Sequence, residues 1–436
     1  MSWLRARMMQ QRMTPAHELR QLLREGRLAD AARAGERVLE RTPDDLEALN
    51  IVGLAALSGG RVQRALDLLG RAVRLDPRDA ATHHHFARAQ EAAGDIDAAL
   101  AAYDSALKLR PDFFLARLHR AAALERRGDA RRALVNFARA LTDAQQLGKW
   151  TNAATTPPGL QPLLEHAVRT VRAGRRSLLA DLLEPVARRH GRDSLTRVER
   201  CLRLQLLEEE PVYPDPRQRP TFLYFPGLSA SAYPERALFP WIADLEAQTA
   251  LIREELHGVL CSEAGRERVF TSAELEQQNL RGLTQPPSWN GYYFYRHGER
   301  REDNCGACPR TIRALDALPL ARVPGHAPEV LFSVFTPGTQ LLPHRGVTNT
   351  RLVGHLPLIV PENCALSVGG EVHAWQEGRV VVFDDTYEHE AWNRSDLTRV
   401  ILIFDLWHPG LSEAERAAVS ELVVALGDFN VEIERA

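Results

Sequence analysis

Apolar positions in the first part of the chain recur at helical spacing. In DIDAALAAYDSALKLRPD they fall at Ile96, Ala99, Leu100, Tyr103, Ala106 and Leu107, the i, i+3, i+4 stripe of a helix with one buried face. The pattern itself repeats. Gly26, Gly60, Gly94 and Gly128 lie 34 residues apart, as do Ala31, Ala65, Ala99 and Ala133, and Pro43, Pro77 and Pro111. Glycine ends a helix by accepting a left-handed backbone. Alanine lets paired helices approach closely, and proline cannot continue a helix and so punctuates the unit. In the last part of the chain the apolar runs shorten to strand length. VLFSVF, RLVGHLPLIV, RVVVFDD and RVILIFDLW are β-branched or apolar and are split by Pro and Gly turns.

A 34-residue helix–turn–helix period is the tetratricopeptide pattern. Four units fit between about residues 12 and 147. Each buries its face only against its neighbours, giving a helical solenoid whose concave groove commonly takes a peptide or partner protein. His83, His84 and His85 are consecutive in the third unit and point roughly 100° apart, so they are expected to be part exposed and part packed rather than a metal site. After Trp150, TNAATTPPG is a break. LQPLLEHAVRTVRAG and RRSLLADLLEPVARR follow as a pair of helices capping the array. PVYPDPRQRPTFLYFPGL then reads as a proline-dense linker, so residues 148–220 are cap and linker. Residues 221–436 form the strand-rich domain, opening with an extended entry at 222–228 and a helix from about Pro240 to Leu260. WNGYYFYRHGER alternates and predicts a strand near the mouth of a site. The fold class is thus multidomain α + β, with strands that close into a double-stranded β-helix of the jelly-roll, cupin-like kind, holding a ligand inside.

Composition narrows the function classes. Lys and Arg number 55 against 57 Asp and Glu, a net charge of −2, so no global field draws nucleic acid or an anionic membrane. Five cysteines, Cys201, Cys261, Cys305, Cys308 and Cys364, are too few and too scattered for a disulfide framework. No stretch has the ~20 apolar residues of a membrane helix, and MSWLRARMMQQRM lacks the apolar core of a signal peptide. The expectation is a soluble, cytoplasmic protein.

The candidate chemistry lies between Ser333 and His408. His344 and His389 stand 45 residues apart in strand-like text, and Arg399 follows ten residues after the second histidine. Neutral imidazole is a good ligand for Fe(II), and an oxygen-activating iron needs few protein ligands and open positions. His344-Arg345-Gly346 has a glycine where a His-x-Asp pair would carry its carboxylate, so the third position falls to water, a small anion or nothing. An arginine fork suits the far carboxylate of a diacid cosubstrate. Cys305-Gly306-Ala307-Cys308 lacks the partners of a zinc site and reads as an oxidisable pair on a loop covering the site.

PGTQLLPHRGVTN, RLVGHLPLIVP, VGGEVHAWQEG, FDDTYEHEAWN and RVILIFDLWHP resemble the aspartyl/asparaginyl β-hydroxylases, which are Fe(II)- and 2-oxoglutarate-dependent oxygenases. The resemblance implies His344 and His389 as iron ligands, and Ser333 with Arg399 as the clamp on the distal carboxylate of 2-oxoglutarate. It implies His355 at the cosubstrate's other end and Asp385 as the group that steadies iron-bound water or a ligand histidine. The chain departs from the family at Val353, where a second arginine is expected. Arg351 is two residues earlier on the same strand face, where it takes over part of that role or meets an acidic substrate. Trp375 and Trp392 read as packing.

The resulting expectation is a dioxygenase that uses O2 and 2-oxoglutarate to hydroxylate the β-carbon of Asp or Asn in a protein or peptide, engaged by the repeats. The alternatives keep the cofactors and change the substrate to a free or carrier-bound amino acid or a lipid, or make the chain a scaffold whose barrel has lost catalysis.

Overall fold

The computed structural model describes residues 15–260, 266–268, 284–285 and 288–436. Cys261 and the expected start of the array at residue 12 lie outside them. Two compact units result, one running to Arg175 and taking in Phe429–Ala436, the other running from Arg176 to Asp428.

The first unit opens with four helix pairs: α1 (Pro15–Arg24) with α2 (Leu28–Arg41), α3 (Leu46–Ser58) with α4 (Val62–Leu75), α5 (Ala80–Ala92) with α6 (Ile96–Leu109), and α7 (Phe114–Arg126) with α8 (Ala130–Gln146). The turn inside each pair carries Gly26, Gly60, Gly94 or Gly128, all with φ between 70° and 89°, the left-handed backbone that glycine adopts without steric cost. Asp45, Asp79, Asp95 and Asp129 cap the helices that follow them by accepting from backbone amides. Ala31, Ala65, Ala99 and Ala133 are fully buried, so the repeated alanine marks close helix approach in every pair.

The structure departs from the expected cap and boundaries. The helical pair after the break is one helix, α9 (Gln161–His190), 30 residues long with Pro185 inside it. Gly174 does not end it: a Cβ there would lie 2.7 Å from Leu134, so the glycine serves helix–helix approach. The expected boundaries also shift, because the last residues of the chain do not group with the strand-rich part. Arg131 pairs with Glu432 at 2.8 Å, and Arg131 and Arg175 each lie 5.3 Å from the Phe429 ring centroid. After His408 the chain continues as a 23-residue helix, α15 (Glu413–Arg435), which strand-length apolar runs do not predict.

The second unit holds the strands, with α10 (Thr196–Gln205), α11 (Ile242–Ala247), α12 (Thr249–Leu260), α13 (Glu302–Ala307) and α14 (Pro309–Asp316). The strands are β1 (Arg266–Arg268), β2 (Thr284–Gln285), β3 (Trp289–Arg296), β4 (Glu299–Arg300), β5 (Val330–Phe335), β6 (Gln340–His344), β7 (Arg351–Ile359), β8 (Cys364–Val368), β9 (Glu371–Ala374), β10 (Val381–Phe383), β11 (His389–Asn393) and β12 (Arg399–Trp407). They form two antiparallel sheets, β1-β3-β5-β12-β7-β10 with β4 on β3, and β2-β6-β11-β8-β9. This is the double-stranded β-helix arrangement. Alternation sorts the larger sheet into two faces. Phe332, Val334, Leu352, Leu402 and Phe404 join the cluster that contains Ile242, Ile252, Leu256 and Ile312 of the covering helices. Ser333, Phe335, Val353, His355, Arg399 and Ile403 line the interior cavity.

Cys305 and Cys308 do not lie on a loop over the site. Cys305 sits in α13, Cys308 precedes α14, and both are buried in the core with Tyr292, Phe294 and Leu315. The Cys305 thiol donates to the Phe294 carbonyl at 3.4 Å, and burial pushes the Cys308 thiol up to about 12. Both are structural thiols. Among the described residues no helix is long and apolar enough to cross a membrane.

In the repeats, His84 is 2% exposed and neither ring nitrogen has a hydrogen-bond partner. Burial, followed by His119 nearby, holds its pKa down to about 2. The folded state therefore binds fewer protons than the unfolded chain below the ordinary histidine value of about 6.5. Stability is fully present above that value and declines as pH falls through it toward the folded value, by about 1.4 kcal/mol per pH unit for this group. Hydrogen exchange of α5 measured from pH 7 to pH 5 is expected to accelerate beyond its intrinsic dependence. Burial also lowers His85 to about 4 and His119 to about 3, so a His84→Leu variant is expected to reduce that extra dependence without abolishing it; an unchanged slope refutes the assignment.

Candidate active site

The site begins with one strand pairing. β11 runs antiparallel to β6 with His389 directly opposite His344, and the two ring centroids are 4.0 Å apart. His344 Nδ1 lies 2.8 Å from the Leu342 carbonyl, and His389 Nδ1 lies 3.1 Å from the Tyr387 carbonyl. A carbonyl only accepts, so each Nδ1 carries the proton and each Nε2 keeps its lone pair. Burial lowers the pKa of His344, and burial together with His344 lowers that of His389 to about 4. Both imidazoles are thus neutral near pH 7, the form that ligates a metal. Among the described residues no group of three His, Cys, Asp or Glu side chains is placed to hold a metal ion.

Gly346 has a specific neighbour. A Cβ built on it would lie 2.1 Å from the Asp385 carboxyl carbon, so the Asp385 carboxylate occupies the space that a side chain at 346 would need. The Gly346 amide also donates to the Asp385 carbonyl at 2.6 Å. Asp385 Oδ2 accepts from Arg351 Nη2 at 2.9 Å. Its Oδ1 is buried without a partner, an unsatisfied acceptor at the edge of the cavity that suits a metal-bound water. Arg351 bridges two acids, since its Nη1 donates to Asp405 Oδ2 at 2.8 Å. It therefore fixes Asp385 in place. It lines the same cavity as Val353, as the strand alternation predicts.

At the other end Arg399 is 2% exposed. Its Nη1 donates to Ser333 Oγ at 3.2 Å, its Nε has no partner, and no carboxylate among the described residues pairs with it. Burial pushes its pKa down to about 9. A buried cation without a counter-ion is costly unless a ligand supplies the charge, and a diacid's carboxylate does so in fork geometry. His355 lines the same cavity, close enough to Arg399 and His389 for both to act on it, and its Nδ1 is also unpartnered.

The sequence missed the aromatic frame of this end. Trp289 Nε1 donates to Ser333 Oγ at 2.9 Å. The Arg399 guanidinium carbon lies 3.8 Å from the Phe335 centroid and 5.0 Å from that of Trp375. Trp375, expected to be packing alone, also stands 5.9 Å from the His355 ring, so it steadies the cation and the imidazole together. Trp392 stacks with Arg394 at 4.6 Å, as a packing residue does. The one signal for the frame was the alternation of WNGYYFYR, which places Trp289 and Tyr293 on the cavity face.

The chain is similar in sequence to known proteins in both of its parts. The family model described as aspartyl/asparaginyl beta-hydroxylase matches residues 246–409, and tetratricopeptide repeat models match residues 18–80 and 56–124. An ornithine lipid ester-linked acyl 2-hydroxylase of Rhizobium tropici is 37% identical, over 41% of this chain and 62% of that protein. An aspartate beta-hydroxylase domain-containing protein 2 of Rattus norvegicus is 31% identical, over 54% of this chain and 68% of the relative. The human aspartyl/asparaginyl beta-hydroxylase is 34% identical over 41% of this chain but only 22% of its own length. Among solved structures, a crystal structure of MamA is 19% identical and covers 37% of this chain and 92% of its own, with a TM-score of 0.28. Fold and site define a double-stranded β-helix built around two facing imidazoles and preceded by tetratricopeptide repeats. The chain belongs to the aspartyl/asparaginyl β-hydroxylase family.

The packing of Asp385 into the space at Gly346 generates a prediction. Gly346→Ala is expected to destabilise the fold by about 1–3 kcal/mol, the usual cost of overpacking, because the Asp385 carboxylate must leave its ion pair. The double variant with Asp385→Ala is expected to lose less than the sum of the two single variants. Urea unfolding of the four proteins checks this, and additivity refutes it.

Proposed function

We propose that this chain is an Fe(II)- and 2-oxoglutarate-dependent dioxygenase that hydroxylates an unactivated carbon. The observation that carries the reading is the pairing of two neutral, facing imidazoles with a buried guanidinium that lacks a carboxylate partner, all lining one cavity. His344 and His389 hold the metal through Nε2. Arg399 and Ser333 take the distal carboxylate of 2-oxoglutarate, and His355 meets its other end. Asp385, kept in place by Arg351, would offer its free Oδ1 as an acceptor to a water beside the metal. Iron, dioxygen and 2-oxoglutarate together supply the oxidant, and succinate and carbon dioxide leave.

Within the family the first substrate class to test is the β-carbon of Asp or Asn in a peptide, with the repeats recruiting the protein that carries it. The name of the Rhizobium relative favours a second reading, in which the carbon belongs to a lipid acyl chain. The cytoplasm is the proposed compartment.

Two variants test the assignment. His389→Ala is expected to purify without stoichiometric iron and to lose succinate formation. Arg399→Ala is expected to keep iron and raise the KM for 2-oxoglutarate by roughly 10–100-fold, matching the ~1.5–3 kcal/mol of hydrogen bonds to a charged group. Metal analysis and succinate release decide both. Wild-type cosubstrate affinity in the Arg399 variant would show that the carboxylate binds elsewhere.

A further inference from the structure

We infer that the proline-dense segment at 215–225 is a clasp that fixes the two histidine-bearing loops, with Gln218 as its central positioning residue. The inference rests on the metal reading of His344 and His389 above and concerns the residues that set their relative placement.

The need for a clasp follows from where the histidines sit. β6 ends at His344 and β11 begins at His389, so the ladder that opposes the two rings stops at them. The chain leaving one and entering the other is loop, at 345–349 and 384–388. The Gly346 amide joins these loops by donating to the Asp385 carbonyl. The segment at 215–225 binds both. Thr221 donates its amide to the Gly346 carbonyl at 3.1 Å, and Phe222 and Leu223 donate theirs to the Val347 carbonyl at 2.9 Å. Asn349 holds both backbone groups of Phe225, accepting from the amide at 2.8 Å and donating to the carbonyl at 2.9 Å. On the other loop, the Thr386 carbonyl accepts from the Arg219 amide at 3.0 Å. The Tyr387 hydroxyl donates to Asp215 at 3.1 Å.

Gln218 makes the buried side-chain contact. It is 1% exposed, and its Nε2 donates to Asp384 Oδ2 at 2.6 Å. Oδ1 of the same carboxylate accepts from the Thr386 amide at 2.9 Å and the Thr386 hydroxyl at 2.5 Å. One side-chain amide thus secures the turn that carries two groups of the site. These are Asp385, with its free Oδ1, and Tyr387, whose carbonyl fixes the proton on His389. Asp384 is itself buried, so loss of the Gln218 amide would strip a charged acceptor of its partner.

The composition of the segment suits this work. Pro214, Pro216 and Pro220 fix their own φ and hold the preceding residues extended, so less freedom is lost on folding. Every backbone amide from Arg217 to Leu223 is bound, those of Arg217 and Gln218 by Asp215. Arg345, next to His344, donates to the Arg217 carbonyl at 2.6 Å. A passive spacer leaves such groups to water; here they are spent on the two loops.

The experiment uses the full chain and Co(II) as the probe. The dissociation constant and the visible d–d spectrum are read, and far-UV circular dichroism establishes that each variant is folded under the conditions used. Gln218→Glu sets a second carboxylate against Asp384. It is expected to raise the Co(II) dissociation constant by about tenfold or more, the usual cost of losing a partner that supports metal ligands, and to change the spectrum. Adding Asp384→Asn exchanges donor and acceptor, because the new amide at 384 donates to the new carboxylate at 218. The double variant is expected to return to within about threefold of the wild type. A bond that served the fold alone would lower stability and leave the affinity and spectrum of the folded protein unmoved. An unchanged dissociation constant in Gln218→Glu, or a double variant as weak as the single one, overturns the clasp. Should Gln218→Glu not fold, Arg217→Ala decides. Its side chain is half exposed and anchors the segment to the Gly369 carbonyl at 3.0 Å. Its loss is expected to weaken Co(II) binding about threefold, and no change overturns the clasp. A wild type that binds Co(II) no better than His389→Ala overturns the metal reading itself, and the clasp with it.

Discussion

The pairing of β11 with β6 is the constraint on which the site depends. Because His389 and His344 are directly opposed in that register, a shift of one residue would turn one imidazole to the other face of its sheet. The register slips immediately beyond, between His389 and Ala391, so a local irregularity lies next to the ligand pair. β8 pairs along the whole of β11, from His389 to Asn393, and holds the strand from its other side. The backbone carbonyls of Leu342 and Tyr387 then select the ring tautomer. Each is two residues before its histidine and needs no side chain of its own to do this. The facing imidazoles, each with its proton on Nδ1, are thus set mainly by backbone geometry.

The second element is a cation placed where water cannot solvate it. Arg399 sits between Phe335 and Trp375, with Ser333 as its one hydroxyl partner. An aromatic face attracts a cation, but it does not replace an anion. The fold therefore tolerates an electrostatic deficit inside the larger sheet. The opposite case lies at Arg351, which is surrounded by Asp385 and Asp405. One arginine is left for a ligand and the other is consumed by the protein. The roles proposed for the two arginines, cosubstrate binding for Arg399 and positioning for Arg351, rest on that contrast.

Local pattern carried the sequence reading a long way. Glycine and alanine spacing located all four repeats, because each repeat is stabilised by contacts close in sequence. Strand runs located the sheets, and histidine spacing picked out the two imidazoles that face each other. What the sequence hid was long-range. Gly174 looks like a helix end and is a contact point for Leu134. The Cys305–Cys308 pair looks like a redox motif, yet neighbouring helices and β3 bury it. Trp375 looks like filler until β9 brings it over Arg399. The carboxylate beside Gly346 comes from a residue 39 positions later, and no window of sequence contains both. Residues 429–436 join the first unit through side chains more than 250 positions away, which periodicity cannot report.

The left-handed joints at Gly26, Gly60, Gly94 and Gly128 have an evolutionary consequence. Each recurs at one phase of the period, and each helix pair meets mainly the pairs on either side of it. A whole 34-residue cassette can therefore be gained or lost by recombination without turning any buried alanine outward. The array is free to lengthen or shorten while the strands that carry the two imidazoles keep their sequence.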